Sequence, residues 1–409
     1  MDIPQDWKYG TLENLCSLKQ DSCMPCDSGL NVYVGLEHIE SGRFFVKSFG
    51  KPDQVVSSKN RFAINDVLYG KLRPYLDKAT IMEVDGICST DIIVLTPKNR
   101  IPPIFVVGLL HTDEFIQYAK QTTNGVNHPR TSWASLREFP IQIPPLSDQQ
   151  KIAAVLFKIQ QAIEIQESII EKMRELKKST LHHVFTHGLR GEKLKETEIG
   201  PIPNSWLIRK IGAIGKIVTG TTPPTKHKEY YEGGHNQFIA PNDIGKTTRI
   251  YSTEKKITDK GLEVSRILPN ESICFVCIGS TIGKVGITVE EKATTNQQIN
   301  AVIVNDDYDP YFVTYLMDYK SEYIASFTSP SPVPILSKGK FEEIKIMLSS
   351  DMEEQQEIAR VLMTIDQKID LHTAKKSTLQ DLFKTLLNKL MTGEIRVNDL
   401  DIDVSEVSA

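Results

Sequence analysis

Gln149-Gln150-Lys151-Ile152-Ala153-Ala154-Val155-Leu156 returns as Gln355-Gln356-Glu357-Ile358-Ala359-Arg360-Val361-Leu362, 206 positions further along the chain. Each copy opens a long helical run with apolar residues at alternating steps of four and three. In the first run these are Ile152, Leu156, Ile159, Ile163, Ile170, Met173, Thr180 and Val184, with Gln166 and Lys177 as polar interruptions. In the second they are Ile358, Leu362, Ile365, Ile369, Leu379, Phe383, Leu386 and Leu390, interrupted by His372 and Lys376. A period near 3.5 kept up over several heptads predicts a coiled-coil seam between the two helices. The competing reading is a plain amphipathic helix buried against its own domain. Ser147 with Gln150, and Ser350 with Glu353, have the spacing of capping boxes, and Gly188 and Gly393 supply the stops. Forty helical residues span roughly 60 Å, more than one turn of DNA at about 34–36 Å.

The repeat extends outward. Ile3-Pro4-Gln5-Asp6-Trp7 returns as Ile202-Pro203-Asn204-Ser205-Trp206. Before each helix lies a block of short β-type runs, in which Ile64–Lys71 parallels Leu268–Phe275 and Ser89–Leu95 parallels Thr295–Val302. Each block closes on an apolar run, Phe139–Ile143 or Ile344–Leu348. The predicted fold is α/β (α+β): two similar domains, residues 1–146 and 207–350, separated by two long antiparallel helices, 147–187 and 351–392, in a pseudo-two-fold internal repeat. Residues 188–206 form a Gly/Pro-containing linker and 393–409 an acidic tail. Two similar surfaces related by an approximate dyad suit a partner that is itself two-fold, and duplex DNA is the commonest.

At 409 residues, 40% hydrophobic and 24% charged, the chain has the composition of a multi-domain globular protein. A net charge of −4 argues against a wholly basic, histone-like binder but leaves room for a local basic face. No signal peptide or membrane-length apolar run is read, and six cysteines do not make a disulfide scaffold, so a cytoplasmic, reduced protein is expected.

Several motifs invite chemistry. Gly279-Ser280-Thr281-Ile282-Gly283-Lys284 is one residue short of a phosphate loop, and Val285 stands where Ser or Thr is required. It reads better as a strand-end turn offering Ser280, Thr281 and Lys284 to DNA. Cys274 and Cys277 lie in an apolar strand and read as core, whereas Cys23 and Cys26 form a loop pair without a second ligand pair nearby. His183 and His187 lack the Glu of a zinc-protease motif and read as solvated. Asp243, Glu254 and Lys256 resemble the acidic-and-lysine arrangement of metal-dependent nucleases, and an exposed basic hairpin is the simpler reading. The string Asn124 to Trp133 is the densest group of base-reading side chains, and Thr328–Pro334 followed by Ser337–Lys340 takes its place in the second half. A surface loop without a partner is the alternative for both strings.

Together these residues resemble the specificity (S) subunit of type I restriction-modification systems. The marks are the Ile-Pro-x-x-Trp opening of each half, the Pro-Pro-Leu-Ser-Asp-Gln-Gln-Lys-Ile start of the first helix (Pro144 to Ile152), and the linker from Lys195 to Pro203. The resemblance implies that 1–146 and 207–350 are target-recognition domains, each reading one half of an interrupted DNA site across a helical spacer. It also implies two methyltransferase (M) subunits that methylate adenine using S-adenosylmethionine, and restriction (R) subunits that use ATP and Mg²⁺. No cofactor is expected in this chain. The second half departs from the first in lacking an Asn-His-Pro-Arg string, and its helix lacks a preceding Pro-Pro.

The expected function is non-catalytic DNA recognition. Domain 1 would read through Lys71, Arg73, Asn124, Asn127, His128 and Arg130, and domain 2 through Ser280, Thr281, Lys284, Asn296, Gln297, Gln298, Lys338 and Lys340. Lysines would position phosphates while Arg, Asn and Gln contact bases. A stand-alone Mg-dependent nuclease and a coiled-coil scaffold that never touches DNA are the alternatives.

Overall fold

The heptad runs form the two longest helices, Leu146–His187 and Met352–Met391. The computed structural model describes residues 6–329 and 332–407. Ile3, Pro4 and Gln5 of the opening motif, and Pro330 and Ser331 of the second proline-containing string, lie outside the described residues. The chain divides into two units, Met1–Glu167 with Ala374–Ala409, and Ser168–Thr373, so each long helix contributes a segment to both.

In unit 1 the early residues of the first long helix meet the late residues of the second. Ile152, Leu156 and Ile163 are buried in one cluster with Phe383, Leu387 and Leu390, and Ile159 and Leu379 pack on its edge. In unit 2, Leu181, Val184 and Phe185 share a cluster with Ile358 and Leu362. Early against late means the helices pair antiparallel. Along the seam Ile170 and Ile365 are also buried, while Met173 and Ile369 are half-buried. The same clusters hold Trp7, Leu12 and Phe105 in unit 1, and Trp206, Ile211 and Phe312 in unit 2. The first turns of each helix are therefore buried against their own domain as well as along the seam.

The start signals fall slightly elsewhere. Ser147 lies inside the first helix, which begins at Leu146. The second helix is capped by Asp351 rather than Ser350: Asp351 Oδ1 accepts from the Glu353 amide at 3.0 Å. The stops are glycines in the left-handed region, Gly188 at φ 66° and Gly393 at φ 72°.

The main sheets of the two domains share one strand order. In unit 1 an antiparallel sheet runs in the order Cys16–Leu18, Ile92–Pro97, Val67–Gly70, Ala79–Ile81. In unit 2 the order is Gly215–Thr219, Ile299–Val304, Ile273–Val276, Val285–Thr288, with Arg249–Ile250 added parallel at the edge. A second sheet in each contains one parallel pair, Tyr33–Val34 with Gly86–Cys88 and Asn236–Ile239 with Ala293–Thr295. The strand after each motif tryptophan pairs antiparallel with the strand that leads into the long helix, Lys8 opposite Ile143 and Leu207 opposite Leu348. This clasp ties the beginning and end of each domain together beside the helix. Among the described residues no helix is long and apolar enough to cross a membrane.

Candidate nucleic-acid interface

In unit 1 the strand Val67–Gly70 runs on into Lys71-Leu72-Arg73, where a hairpin from the far end of the domain docks. Leu72 bridges Arg130, the Thr131 amide donates to Lys71 O at 3.1 Å, and the Arg73 amide donates to Pro129 O at 2.8 Å. The hairpin closes on itself through the Asn124 amide to Arg130 O (2.9 Å) and the Arg130 amide to Asn124 O (3.0 Å). Gly125, at φ 95°, makes the turn, and Val126, Asn127 and His128 stand exposed at the tip. Below, the Lys71 amide donates to Asp91 O at 2.9 Å. The structure thus gathers Lys71, Arg73, Asn124, Asn127, His128 and Arg130 at one end of the sheet.

Arg130 is not idle there. Its Nε donates to Asp91 Oδ1 at 2.8 Å and its Nη2 to Oδ2 at 3.2 Å, a bidentate pair. The Arg130 hydrogen bonds hold the Asp91 carboxyl below the usual range despite partial burial, with Lys71 and His128 adding to the effect. Sequence reading missed Asp91, because nothing in Ser89-Thr90-Asp91 signals a partner 39 residues away. Beside Lys71 lies a cleft of about 390 Å³ lined in part by Trp133, the last residue of the Asn124–Trp133 string, and by Lys19, Gln20, Asn60 and Thr90, which sequence reading also missed.

Unit 2 builds the same scaffold from different side chains. Ile278 bridges Ile335, the Leu336 amide donates to Cys277 O (2.8 Å), and the Gly279 amide donates to Pro334 O (3.1 Å). The Ser329 amide donates to Ile335 O (3.0 Å), and the Cys277 amide to Gln298 O (2.7 Å). These bonds equate Lys71 with Cys277, Arg73 with Gly279, Asp91 with Gln298 and Arg130 with Ile335. Arg73 and Gly279 both adopt positive φ, 52° and 98°.

Ser280, Thr281 and Lys284 stand on the hairpin loop beyond Gly279, and the stem of Lys284 lies over Gly245. Asn296, Gln297 and Gln298 form the adjoining turn. Asn296 Nδ2 donates to Gln298 Oε1 (3.0 Å) and Thr222 Oγ1 to Gln297 Oε1 (2.7 Å), which fixes both glutamine amides. Lys338 and Lys340 are exposed on the short helix Lys338–Glu343, which starts just after Leu336, and Lys338 pairs with Glu342.

Two further motifs are structural. Cys274 and Cys277 are both buried. Cys274 lies in the strand Ile273–Val276 and Cys277 just beyond it, and burial pushes both thiols up to about 12. Asp243 is buried, its Oδ2 accepting from the Ala240 amide and its Oδ1 from the Glu254 amide, each at 2.9 Å. Both oxygens shape a turn. Among the described residues no three His, Cys, Asp or Glu side chains are grouped to hold a metal ion.

A family model described as the type I restriction modification DNA specificity domain matches this chain twice, over residues 4–175 and 203–381. The type I restriction enzyme MjaVIII specificity subunit of Methanocaldococcus jannaschii is 26% identical over 425 residues, 98% of this chain and 95% of that one. The type I restriction enzyme HindI specificity subunit of Haemophilus influenzae is 22% identical over 412 residues, 83% and 88% of the two chains. Among solved structures, the S subunit of a type I restriction-modification system from M. genitalium superposes with a TM-score of 0.64 at 16% identity. That likeness of fold spans 96% of this chain and 98% of that one.

Proposed function

The chain belongs to the type I restriction-modification DNA specificity family, and from that membership we propose that it is the non-catalytic subunit that reads a bipartite, interrupted site in duplex DNA. The observation that carries this reading is the paired loop scaffold. Two frameworks share five backbone relationships yet present different chemistry, a lysine–arginine–asparagine face in unit 1 and a hydroxyl–amide face in unit 2. One framework with two side-chain sets is what reading two unlike half-sites requires.

Lys71 and Lys284 position phosphates, Arg130, Asn124 and Asn127 contact bases of one half-site, and Asn296, Gln297 and Gln298 contact the other. Arg73, His128, Ser280, Thr281, Lys338 and Lys340 complete the two faces. The long helices set the gap between half-sites, and their exposed faces with flanking domain surface seat two methyltransferase subunits, to which restriction subunits add. S-adenosylmethionine, ATP and Mg²⁺ serve those partners, in the cytoplasm.

The test is the salt dependence of duplex binding by the purified chain. Each neutralised phosphate contributes about 0.9 to the slope of log affinity against log salt. Lys71→Ala and Lys284→Ala are each expected to lower the slope by about one and to weaken all sequences alike. A chain without affinity for duplex at any salt concentration is a scaffold, not a reader.

A further inference from the structure

In unit 2 a segment of the linker shows how the groove beside the domain clasp is filled. Ile199 sits against Lys320, Tyr323, Lys345, Ile346 and Met347, leaving a void of only about 10 Å³. Glu198 accepts from Lys345 Nζ at 2.6 Å at the rim. Deeper in, Tyr319 stacks on Phe185 with centroids 5.6 Å apart, and its hydroxyl lies 3.1 Å from His182 Nδ1.

Among the described residues, the corresponding groove of unit 1 is open. The clasp registers equate Pro140, Ile141 and Gln142 with Lys345, Ile346 and Met347. The helices that start at Pro103 and Pro310 equate Thr112 with Tyr319 and Asp113 with Lys320. The helical repeat equates Asn388 and Met391 with His182 and Phe185. Thr112, Asp113, Pro140, Ile141, Asn388 and Met391 all line a cavity of about 580 Å³. Threonine in place of Tyr319 removes the ring, and no described residue lines the groove as Ile199 does in unit 2. The rim has changed sign as well. Asp113, Glu114 and Glu394 stand at it, with Lys389 2.6 Å from Glu394 and Lys384 3.9 Å from Asp113, so acids outnumber lysines by one.

We infer that this groove of unit 1 docks an extended segment of a partner protein that inserts a large apolar side chain flanked by Lys or Arg. Shape follows from the internal precedent: the space is that of the Tyr319 ring and the Ile199 side chain. Charge follows from complementarity, because Lys345 meets Glu198 in unit 2 and an acidic rim calls for a cation in unit 1. Tyr9, 77% exposed on the clasp strand at the groove mouth, offers a ring to that cation.

Two fluorescent nonapeptides test this on the full chain by anisotropy, one with the sequence of residues 195–203 and one with lysine in place of Glu198. The lysine peptide is expected to bind saturably and about fivefold tighter than its glutamate parent, on the scale of exposed ion pairs. Thr112→Tyr, which supplies the missing ring, is expected to abolish binding. Glu114→Lys, an exposed change that leaves the core untouched, is expected to reverse the preference between the peptides. Absence of saturable binding at millimolar peptide overturns the inference. So does unchanged binding in a folded Thr112→Tyr protein, or a preference indifferent to Glu114→Lys.

Discussion

The Trp206 indole donates to Glu354 Oε2 at 2.9 Å, and the same carboxylate accepts from Ser349 Oγ (2.6 Å) and the Leu189 amide (2.8 Å). In unit 1 the repeat puts Trp7 and Asp148 in these places, one methylene shorter. There Trp7 Nε1 and Asp148 Oδ2 are buried without a hydrogen-bond partner among the described residues. Removing one partner of a buried bond costs about 1–3 kcal/mol. Glu354→Asp is therefore expected to destabilise unit 2 by about that amount, and Asp148→Glu to stabilise unit 1 by about 1 kcal/mol. Native-state hydrogen exchange, read separately for peptides of each unit, checks both; equal protection in parent and variants contradicts the pairing.

A second mismatch has a simple cause. Gln355 Oε1 accepts from the Asp309 amide at 2.8 Å, but the residue equivalent to Asp309 is Pro102, which has no N–H to give. Gln149 Oε1 is accordingly buried without a hydrogen-bond partner among the described residues. Pro102→Asp supplies both the missing donor and a helix cap, since Asp309 also accepts from the Phe312 amide. A gain of about 1–2 kcal/mol in the stability of unit 1 is expected by urea denaturation. Gln355→Ala should cost more than Gln149→Ala, and the reverse order would show that the equivalence is false.

The ion pair at the proposed reading head makes a prediction in pH. The Asp91 carboxyl is depressed by Arg130, so the pair stabilises the hairpin above the ordinary carboxylate range, and that contribution is lost as pH falls through the depressed value. Arg130→Ala is expected to move the Asp91 titration up toward its ordinary value of about 3.9, followed by carboxyl carbon NMR. Freed of its pair, Arg130 in Asp91→Asn should bind duplex more tightly at constant salt, whereas Arg130→Ala should lose preference at one base pair. Unchanged preference in Arg130→Ala removes that residue from base readout.

Thr248 Oγ1 and the Tyr315 hydroxyl donate to Asp366 Oδ2 at 2.6 and 2.7 Å, and Lys177 Nζ lies 2.7 Å from Oδ1. The repeat puts Phe383 at the place of Lys177 and Gln160 at that of Asp366, and Phe44 meets Phe383 edge-on with centroids 5.2 Å apart. One joint is ionic and the other aromatic. Lys177→Met and Asp366→Leu alone are each expected to cost about 2–4 kcal/mol, and together much less than their sum. Additive losses in the thermal melts of this cycle would mean that the two charges are not coupled.

What could be read from the chain depended on how local the signal was. The seam was legible because Ile152 through Phe383 carry their period in the sequence itself. The exact cap was not, because Ser350 and Asp351 are both good caps and only the Glu353 amide chooses between them. Lys71 and Arg130 were picked as basic residues at turns, yet their meeting depends on a bridge between Leu72 and Arg130, 58 positions apart. The acidic segment after Gly393 also carries Val397 and Val407, both buried in the core of unit 1, and its run of Asp and Glu hid them. The groove at Thr112 was invisible, since its emptiness is defined only by comparison with Tyr319.

The most direct measurement is selection of duplexes from a random-sequence library by the chain co-purified with the proposed methyltransferase subunits, followed by sequencing. Two short conserved blocks separated by an unconstrained gap of fixed length are expected, with Arg130→Ala relaxing one block and Gln298→Ala the other. A single uninterrupted block, or no enrichment at all, would contradict recognition by two paired loop scaffolds.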